Sequence, residues 1–275
     1  MIKILLDTAS DMPLELRERY GIKWVPFGIS FDDEFYYDQI DITTEEFYAK
    51  IAEKGIIPKT SQVTREQFAE AIREMLVDED DQVLVITLAS SLSGTYNEAV
   101  KAMEEFEPGK VKVIDSRQVT LLITDLVIEA AEMIEKGADL EEIIKVLEAK
   151  SNKREAFFML DTLEYLRKGG RISFAQSVIG GILNIKALLI YKDGKILPYG
   201  KAKGKKQAIK EMVEYVRKNR NKDNRLIMVH AANKELVMEI AAIIEKELGE
   251  KVEMISEIGA VIGAHVGPGT VAVSC

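Results

Sequence analysis

Val83-Leu84-Val85-Ile86-Thr87-Leu88, running into Ala89-Ser90-Ser91-Leu92-Ser93-Gly94-Thr95, is the stretch that decides the fold class. The apolar run reads as a central strand, and the residues from Tyr96 to Met103 follow as a helix. In open α/β sheets, ligands collect at the carboxyl ends of strands. A Ser/Gly loop in that place offers hydroxyls and free backbone N–H groups at a helix N-terminus, which suits an anion. The spacing is not that of a Walker A loop, because no lysine follows Gly94. The other reading is that Ser90, Ser91 or Ser93 merely caps the helix, and the loop alone leaves both roles open.

Working outward, Ile2–Leu6, Ile22–Phe31 and Val111–Ile114 read as further extended segments. Apolar residues spaced by three and four mark helices around Phe68–Leu76, Leu126–Leu147 and Leu236–Leu248. Strands alternating with helices predict a layered α/β/α first domain around a parallel sheet. The second half opens with a strand at Ala156–Leu160 and a helix near Thr162–Lys168. Lys192-Asp193-Gly194 then stands between two apolar runs, Ala187–Tyr191 and Lys195–Tyr199, a hairpin signal that predicts a mixed sheet. A helix over Gln207–Lys218 and strands at Arg225–His230, Val252–Ile258 and Thr270–Ser274 complete it. The polar break Lys150-Ser151-Asn152-Lys153 divides the chain into domains 1–153 and 154–275.

The chain has 275 residues, 47% apolar and 30% charged, enough for one large or two ordinary cores. Lys plus Arg total 37 against 46 Asp plus Glu, a net charge of −9. That balance argues against general binding to nucleic acid or anionic membranes, which needs a basic surface. The single cysteine, Cys275, excludes an intrachain disulfide, and two histidines, His230 and His265, leave no all-protein Cys/His zinc site. Asp7 interrupts the first apolar run too soon for a signal-peptide core. The apolar stretch Ser177–Tyr191 carries Asn184 and Lys186 and is too short to span a bilayer. The reading is a cytoplasmic protein without stable membrane insertion, metal or cofactor.

Four further segments carry polar chemistry. Thr60-Ser61-Gln62-Val63-Thr64 precedes the Phe68 helix; Thr64 with Gln67 fits a capping box, which leaves Thr60 and Ser61 free to point elsewhere. Lys168-Gly169-Gly170-Arg171 reads either as a helix stop with a solvated arginine or as a close backbone approach with Arg171 facing an anion. Ile262-Gly263-Ala264-His265-Val266-Gly267-Pro268-Gly269 reads as a glycine-rich loop around His265. Lys201, Lys203, Lys205 and Lys206 form a dense basic patch before the Gln207 helix, a solvated loop or a docking point for an acidic partner. His230 reads as structural, and Asp78–Asp81 as a solvated turn.

Taken together, these segments resemble the DegV family of bacterial fatty-acid-binding proteins. The resemblance rests on Asp7-Thr8-Ala9-Ser10-Asp11, Lys59-Thr60-Ser61-Gln62, Ser91-Leu92-Ser93-Gly94-Thr95-Tyr96 and Val113-Ile114-Asp115-Ser116. It continues through Asp161–Ser173, Asn184-Ile185-Lys186 and His265-Val266-Gly267-Pro268-Gly269. It implies two α/β domains with a long-chain fatty acid in a cleft between them. It further implies that Thr60, Ser93, Arg171 and His265 contact the carboxylate, with Ser61 and Gly94 supporting. The chain would be a non-catalytic carrier that presents its acid to a separate ATP-dependent fatty acid kinase. Val63 stands where the family often has Pro, and Thr8-Ala9-Ser10-Asp11 departs from its Ser-Thr-Ala-Asp order. A second reading is an enzyme related to the substrate domain of dihydroxyacetone kinases, in which His265 and Ser93 act on a small hydroxylated or phosphorylated compound. A third is a protein-interaction domain with incidental lipid.

Overall fold

The computed structural model describes residues 1–172 and 185–275. The apolar segment 177–189 lies outside the described residues as far as Asn184, as does Ser173. The chain begins with β1 (Ile2–Asp7), α1 (Leu14–Arg19), β2 (Lys23–Val25), β3 (Gly28–Phe31), β4 (Glu34–Tyr37), α2 (Thr44–Lys54) and β5 (Lys59–Ser61). It continues through α3 (Arg65–Met75), β6 (Gln82–Thr87), α4 (Thr95–Met103), β7 (Val111–Asp115), α5 (Leu121–Glu135) and α6 (Leu140–Ser151). Then follow β8 (Ala156–Leu160), α7 (Glu164–Lys168), β9 (Ile185–Lys192), β10 (Lys195–Lys203), α8 (Gly204–Asn219) and β11 (Ile227–His230). The last elements are α9 (Lys234–Leu248), β12 (Met254–Glu257), α10 (Ala260–Val266) and β13 (Val271–Ser274).

Two compact units emerge, one of Met1–Thr43 with Pro58–Lys153 and one of Thr44–Ile57 with Arg154–Cys275. In the first, β2-β1-β6-β7 form a parallel sheet. Helices α3 and α4 pack together on its strands, and α5 lies on β1 and β6 with α6 packed against it. Strands β1 and β6 are adjacent, and the chain leaves them towards opposite edges of the sheet, so their carboxyl ends mark a topological switch point. Leu5, Leu6, Val83, Leu84, Val85 and Ile86 are fully buried, the consequence of covering a parallel sheet on both faces.

The extended segment expected over Ile22–Phe31 is instead two strands in two sheets. Pro26 lies between them and has no N–H to continue a ladder. Strand β3 joins an antiparallel sheet, β4-β3-β5, in which Thr60 pairs with Ile29 and Ser61 with Gly28. Likewise the helical pattern over Leu126–Leu147 divides into α5 and α6, where Asp139 caps α6 by accepting from Glu142 N–H at 2.9 Å. Asp81, expected in a solvated turn, is 2% exposed and ion-paired with Lys3 at 2.5 Å. Backbone N–H groups and the Lys3 ammonium hold its carboxyl far below the ordinary range.

The second unit is built on a six-stranded mixed sheet, β10-β9-β8-β13-β11-β12, in which β11 and β12 are parallel and the other pairs antiparallel. The Asp193-Gly194 hairpin forms, with φ of 50° and 71° at its two central residues, the mirror-image turn that suits twisted strands. Helix α8 begins at Gly204, earlier than its apolar pattern, so Lys205 and Lys206 are helical while Lys201 and Lys203 end β10. The sequential boundary at 153/154 misses one element: α2 groups with the second unit. The reason is packing. Phe47, Tyr48 and Ile51 are buried, and Tyr48 Oη donates to Ile258 O at 2.8 Å.

Replacing Tyr48 by Phe strands that buried carbonyl. The expected cost is about 1–2 kcal/mol, read as a lower urea midpoint by circular dichroism. An unchanged midpoint would remove this bond as the anchor of α2.

Candidate functional site

In the first unit, the two hydroxyl segments meet. Thr60 and Ser61 end β5, Gln62 follows, and the Gln62 side chain lies directly over Gly94, so that a Cβ at Gly94 would occupy the position of its Oε1. Any residue but glycine at 94 would require the Gln62 side chain to turn away from the loop. Ser93 Oγ stands 2.9 Å from Thr95 Oγ1 and accepts from Thr95 N–H at 3.3 Å, so it turns the chain into α4. The hydroxyl is only partly buried, and the N-cap of α4 is Gly94, with no side-chain cap bond. Ser61 lies on the Gly28 side of β5, where its Oγ and the Phe35 ring crowd the place a Gly28 Cβ would take. Alternation along a strand sends the Thr60 side chain to the other face. Thr60 and Ser61, grouped together by the sequence, thus separate. The capping box forms as read: Thr64 Oγ1 accepts from Gln67 N–H at 3.3 Å and Gln67 Oε1 from Thr64 N–H at 2.9 Å.

Beneath these segments, the carboxyl ends of β1 and β7 carry acidic and strained residues. Asp7 is 1% exposed and accepts from Leu88 N–H at 2.7 Å and Ala9 N–H at 3.1 Å. Burial pushes its carboxyl up to about 7 against the pull of those two donors, and Asp38 adds repulsion. Burial likewise raises Asp38 to about 6, opposed by hydrogen bonds from Thr8 and Gln39. Thr8 Oγ1 also accepts from Phe27 N–H at 3.2 Å, which ties the end of β1 to the small sheet. Asp11, Arg117 and Thr120 have φ of 49°, 52° and 48°. For a β-branched threonine this is costly backbone, of the kind that persists where surrounding contacts impose it. Here Thr120 N–H donates to Ala9 O at 3.0 Å.

In the second unit, α7 ends in a Schellman motif: Gly170 has φ 74°, Arg171 N–H donates to Leu166 O at 3.0 Å and Gly170 N–H to Arg167 O at 3.1 Å. Gly169 has a separate purpose, since a Cβ there would land on His265 Nδ1. His265 is not in a loop; it occupies the last turn of α10. Gly263 lies inside that helix, and its missing side chain leaves room for Tyr48 Oη, 2.6 Å from where a Cβ would be. Tyr165 packs on Gly267 and Asp161 on Gly269, so the 161–171 segment and the end of α10 interlock. Burial first, and then the Arg171 guanidinium, pull the His265 imidazole down to about 4. At neutral pH it is uncharged, with one ring nitrogen a donor and the other an acceptor. The positive charge is that of Arg171, whose side chain is exposed and donates to Gly169 O. His230 is structural as read, its Nδ1 accepting from Asn233 N–H at 3.3 Å.

Gln62, two residues beyond Thr60, thus meets Gly94, the residue after Ser93, in the first unit, and His265 stands beside Gly169 and within reach of the Arg171 charge in the second. The sequence missed Gln62 as a packing partner and gave Asp7 and Asp115 no role; their signal was an aspartate placed at the end of an apolar strand. Among the described residues, no group of three or more His, Cys, Asp or Glu side chains fits a metal ion, and no helix is long and apolar enough to cross a membrane.

A family model described as "Uncharacterised protein, DegV family" matches residues 1–275. The chain belongs to the DegV family. A fatty acid-binding protein of Thermotoga maritima is 37% identical to this DegV chain over 277 residues, 98% of this chain and 96% of the relative. A DegV family protein from Thermus thermophilus, whose structure is described for its fatty acid binding, superposes with a TM-score of 0.90 at 34% identity, covering 99% of this chain and 98% of that one. A stearic-acid-binding protein from Eubacterium ventriosum also reaches 0.90, at 30% identity, covering 100% and 97%.

Because both Asp7 and Asp38 have folded-state values above the ordinary carboxylate range, folding takes up protons there. Their contribution to stability is full below about pH 4 and is lost as pH rises through 6 to 7. Asp38→Asn removes one of the two anions. It is expected to gain about 1–3 kcal/mol relative to wild type on going from pH 5 to pH 8, measured as paired urea midpoints. An equal pH dependence in both proteins would show that the pair does not titrate together.

Proposed function

We propose that this DegV protein binds a long-chain fatty acid and carries it as a non-catalytic subunit, Thr60, Ser93, Arg171 and His265 contacting the carboxylate. The observation that carries the reading is the seating of Gln62 on Gly94, which brings the Thr60 strand and the Ser93 loop to one place at a sheet switch point. Hydroxyls and helix N-terminal amides are donors without a counter-charge, and they suit a carboxylate that must leave water. Arg171 supplies a permanent cation, and a neutral His265 supplies a donor. Gly94 contributes by having no side chain, and Ser61 by holding β5 against Gly28. The names of the relatives, which concern fatty acid binding over their whole length, point the same way.

The energetics fit a carrier. A chain of about 14–16 methylenes buried at about 0.8 kcal/mol each gives about 11–13 kcal/mol before ordering costs. The finer part of the proposal is that the bound acid is presented to a separate ATP-dependent fatty acid kinase, which phosphorylates the carboxylate. Its support is the family resemblance. The exposed lysines around β10 and α8, of which Lys205 pairs with Glu239 at 2.7 Å, would face an acidic surface of such a partner.

Native mass spectrometry of the purified protein, with extraction of what is released, is expected to find one long-chain fatty acid per chain. Ser93→Ala and Arg171→Ala should each weaken palmitate binding by about 1–3 kcal/mol. A protein that carries no lipid and does not take up added palmitate would overturn the carrier reading; unchanged affinity in both variants would overturn the carboxylate contacts.

A further inference from the structure

Ser93 does not position itself. The residues upstream of it are tied down one after another, by the ends of both strands that flank β6. On the β1 side, Asp7 Oδ2 accepts from Leu88 N–H at 2.7 Å while Oδ1 accepts from Ala9 N–H at 3.1 Å. On the β7 side, Asp115 accepts from Ser90 N–H at 3.1 Å and from Ser90 Oγ at 2.5 Å. Its Oδ1 also takes Arg117 N–H at 2.9 Å. Between the two, Ala89 N–H donates to Gln118 O at 3.1 Å. Leu88, Ala89 and Ser90 are therefore each anchored to a different point. The remainder of the loop folds back on that base, since Leu92 N–H and Ser93 N–H both donate to Ala89 O, at 3.0 and 3.2 Å.

We propose that Asp7 and Asp115 are positioning residues for the ligand hydroxyl of Ser93: two strand-end carboxylates that clamp the β6–α4 loop from its two sides. The role rests on the fatty-acid reading of the site. Carboxylates suit it because both oxygens serve as acceptors: Asp7 takes one backbone N–H on each, and Asp115 takes two N–H groups on Oδ1 and the Ser90 hydroxyl on Oδ2. A carboxamide at Asp7 therefore releases one anchor, whereas at Asp115 its N–H2 can donate to the Ser90 hydroxyl, so the anchor there is released by truncation to alanine.

The sign of the effect separates this role from a direct electrostatic one. Two anions near a site for an anion repel it, so a purely electrostatic role predicts that neutralising either one strengthens binding. Positioning predicts that binding weakens, because the hydroxyl is no longer held where the carboxylate arrives. A purely structural role predicts lower stability with unchanged affinity.

Asp115 is only half-buried, so Asp115→Ala, which removes all three of its contacts, is the informative variant, with Asp7→Asn as the second. In the full-length, delipidated chain, palmitate titration calorimetry is expected to give about tenfold weaker binding for Asp115→Ala. The ligand-free amide spectrum should show the Ser90 and Ser93 cross-peaks displaced while β8–β13 cross-peaks stay in place. Affinity equal to or tighter than wild type would overturn the proposal. If wild type itself binds no palmitate, the fatty-acid reading fails and the spectrum decides the clamp: an unmoved Ser93 amide overturns it and a displaced one sustains it.

Discussion

The buried Asp7 carboxylate is the constraint on which the first unit's functional end depends. A parallel sheet leaves the N–H groups just past each strand without partners, and at a switch point two strand ends diverge and cannot satisfy one another. Asp7 resolves this by accepting from Leu88 and Ala9 together, joining the exit of β6 to the exit of β1. An unpaired buried carboxylate is costly, and the second acid, Asp38, raises that cost. The strain at Asp11, Arg117 and Thr120 sits around the same ends. The region is therefore held in an unfavourable local state by the sheet beneath it, which is where pre-organised ligand groups are found.

The second unit reaches a comparable result by different means. It uses close approach, with Gly169 under His265, Gly267 under Tyr165 and Gly269 under Asp161. Three glycines allow the C-terminal turn of α10 to lie on the 161–171 segment without an intervening side chain. The consequence is chemical: the imidazole is dry and stands near a guanidinium, so it is neutral. A histidine in a glycine-rich loop, free to meet water, would instead titrate near 6.5.

Features governed by neighbours in sequence were legible from it. Asp193-Gly194 encodes a turn with two positive φ angles, and Thr64 with Gln67 encodes a capping box, because both depend on residues at most three positions apart. The mixed sheet of the second unit followed from that hairpin. The small sheet did not, because Lys59-Thr60-Ser61 has no apolar alternation; it is a strand because Gly28 and Ile29 lie beside it. The assignment of α2 to the second unit depends on Tyr48 reaching Ile258, 210 residues away. Gly263 misled for a related reason, since its meaning lay in a tyrosine from that same distant helix. Within the candidate site, residue types were readable, whereas the opposite facing of Thr60 and Ser61 needed the register of β5.

The distribution of charge follows from these constraints. Asp7 spends both oxygens on backbone donors, and Asp115 accepts from two backbone N–H groups and the Ser90 hydroxyl, so their negative charge is directed into the scaffold. The proposed carboxylate contacts are hydroxyls on one unit and a guanidinium with a neutral imidazole on the other. Binding by dipoles that are already fixed costs little ordering, so a site built this way leaves most of a ligand's apolar transfer free energy for affinity.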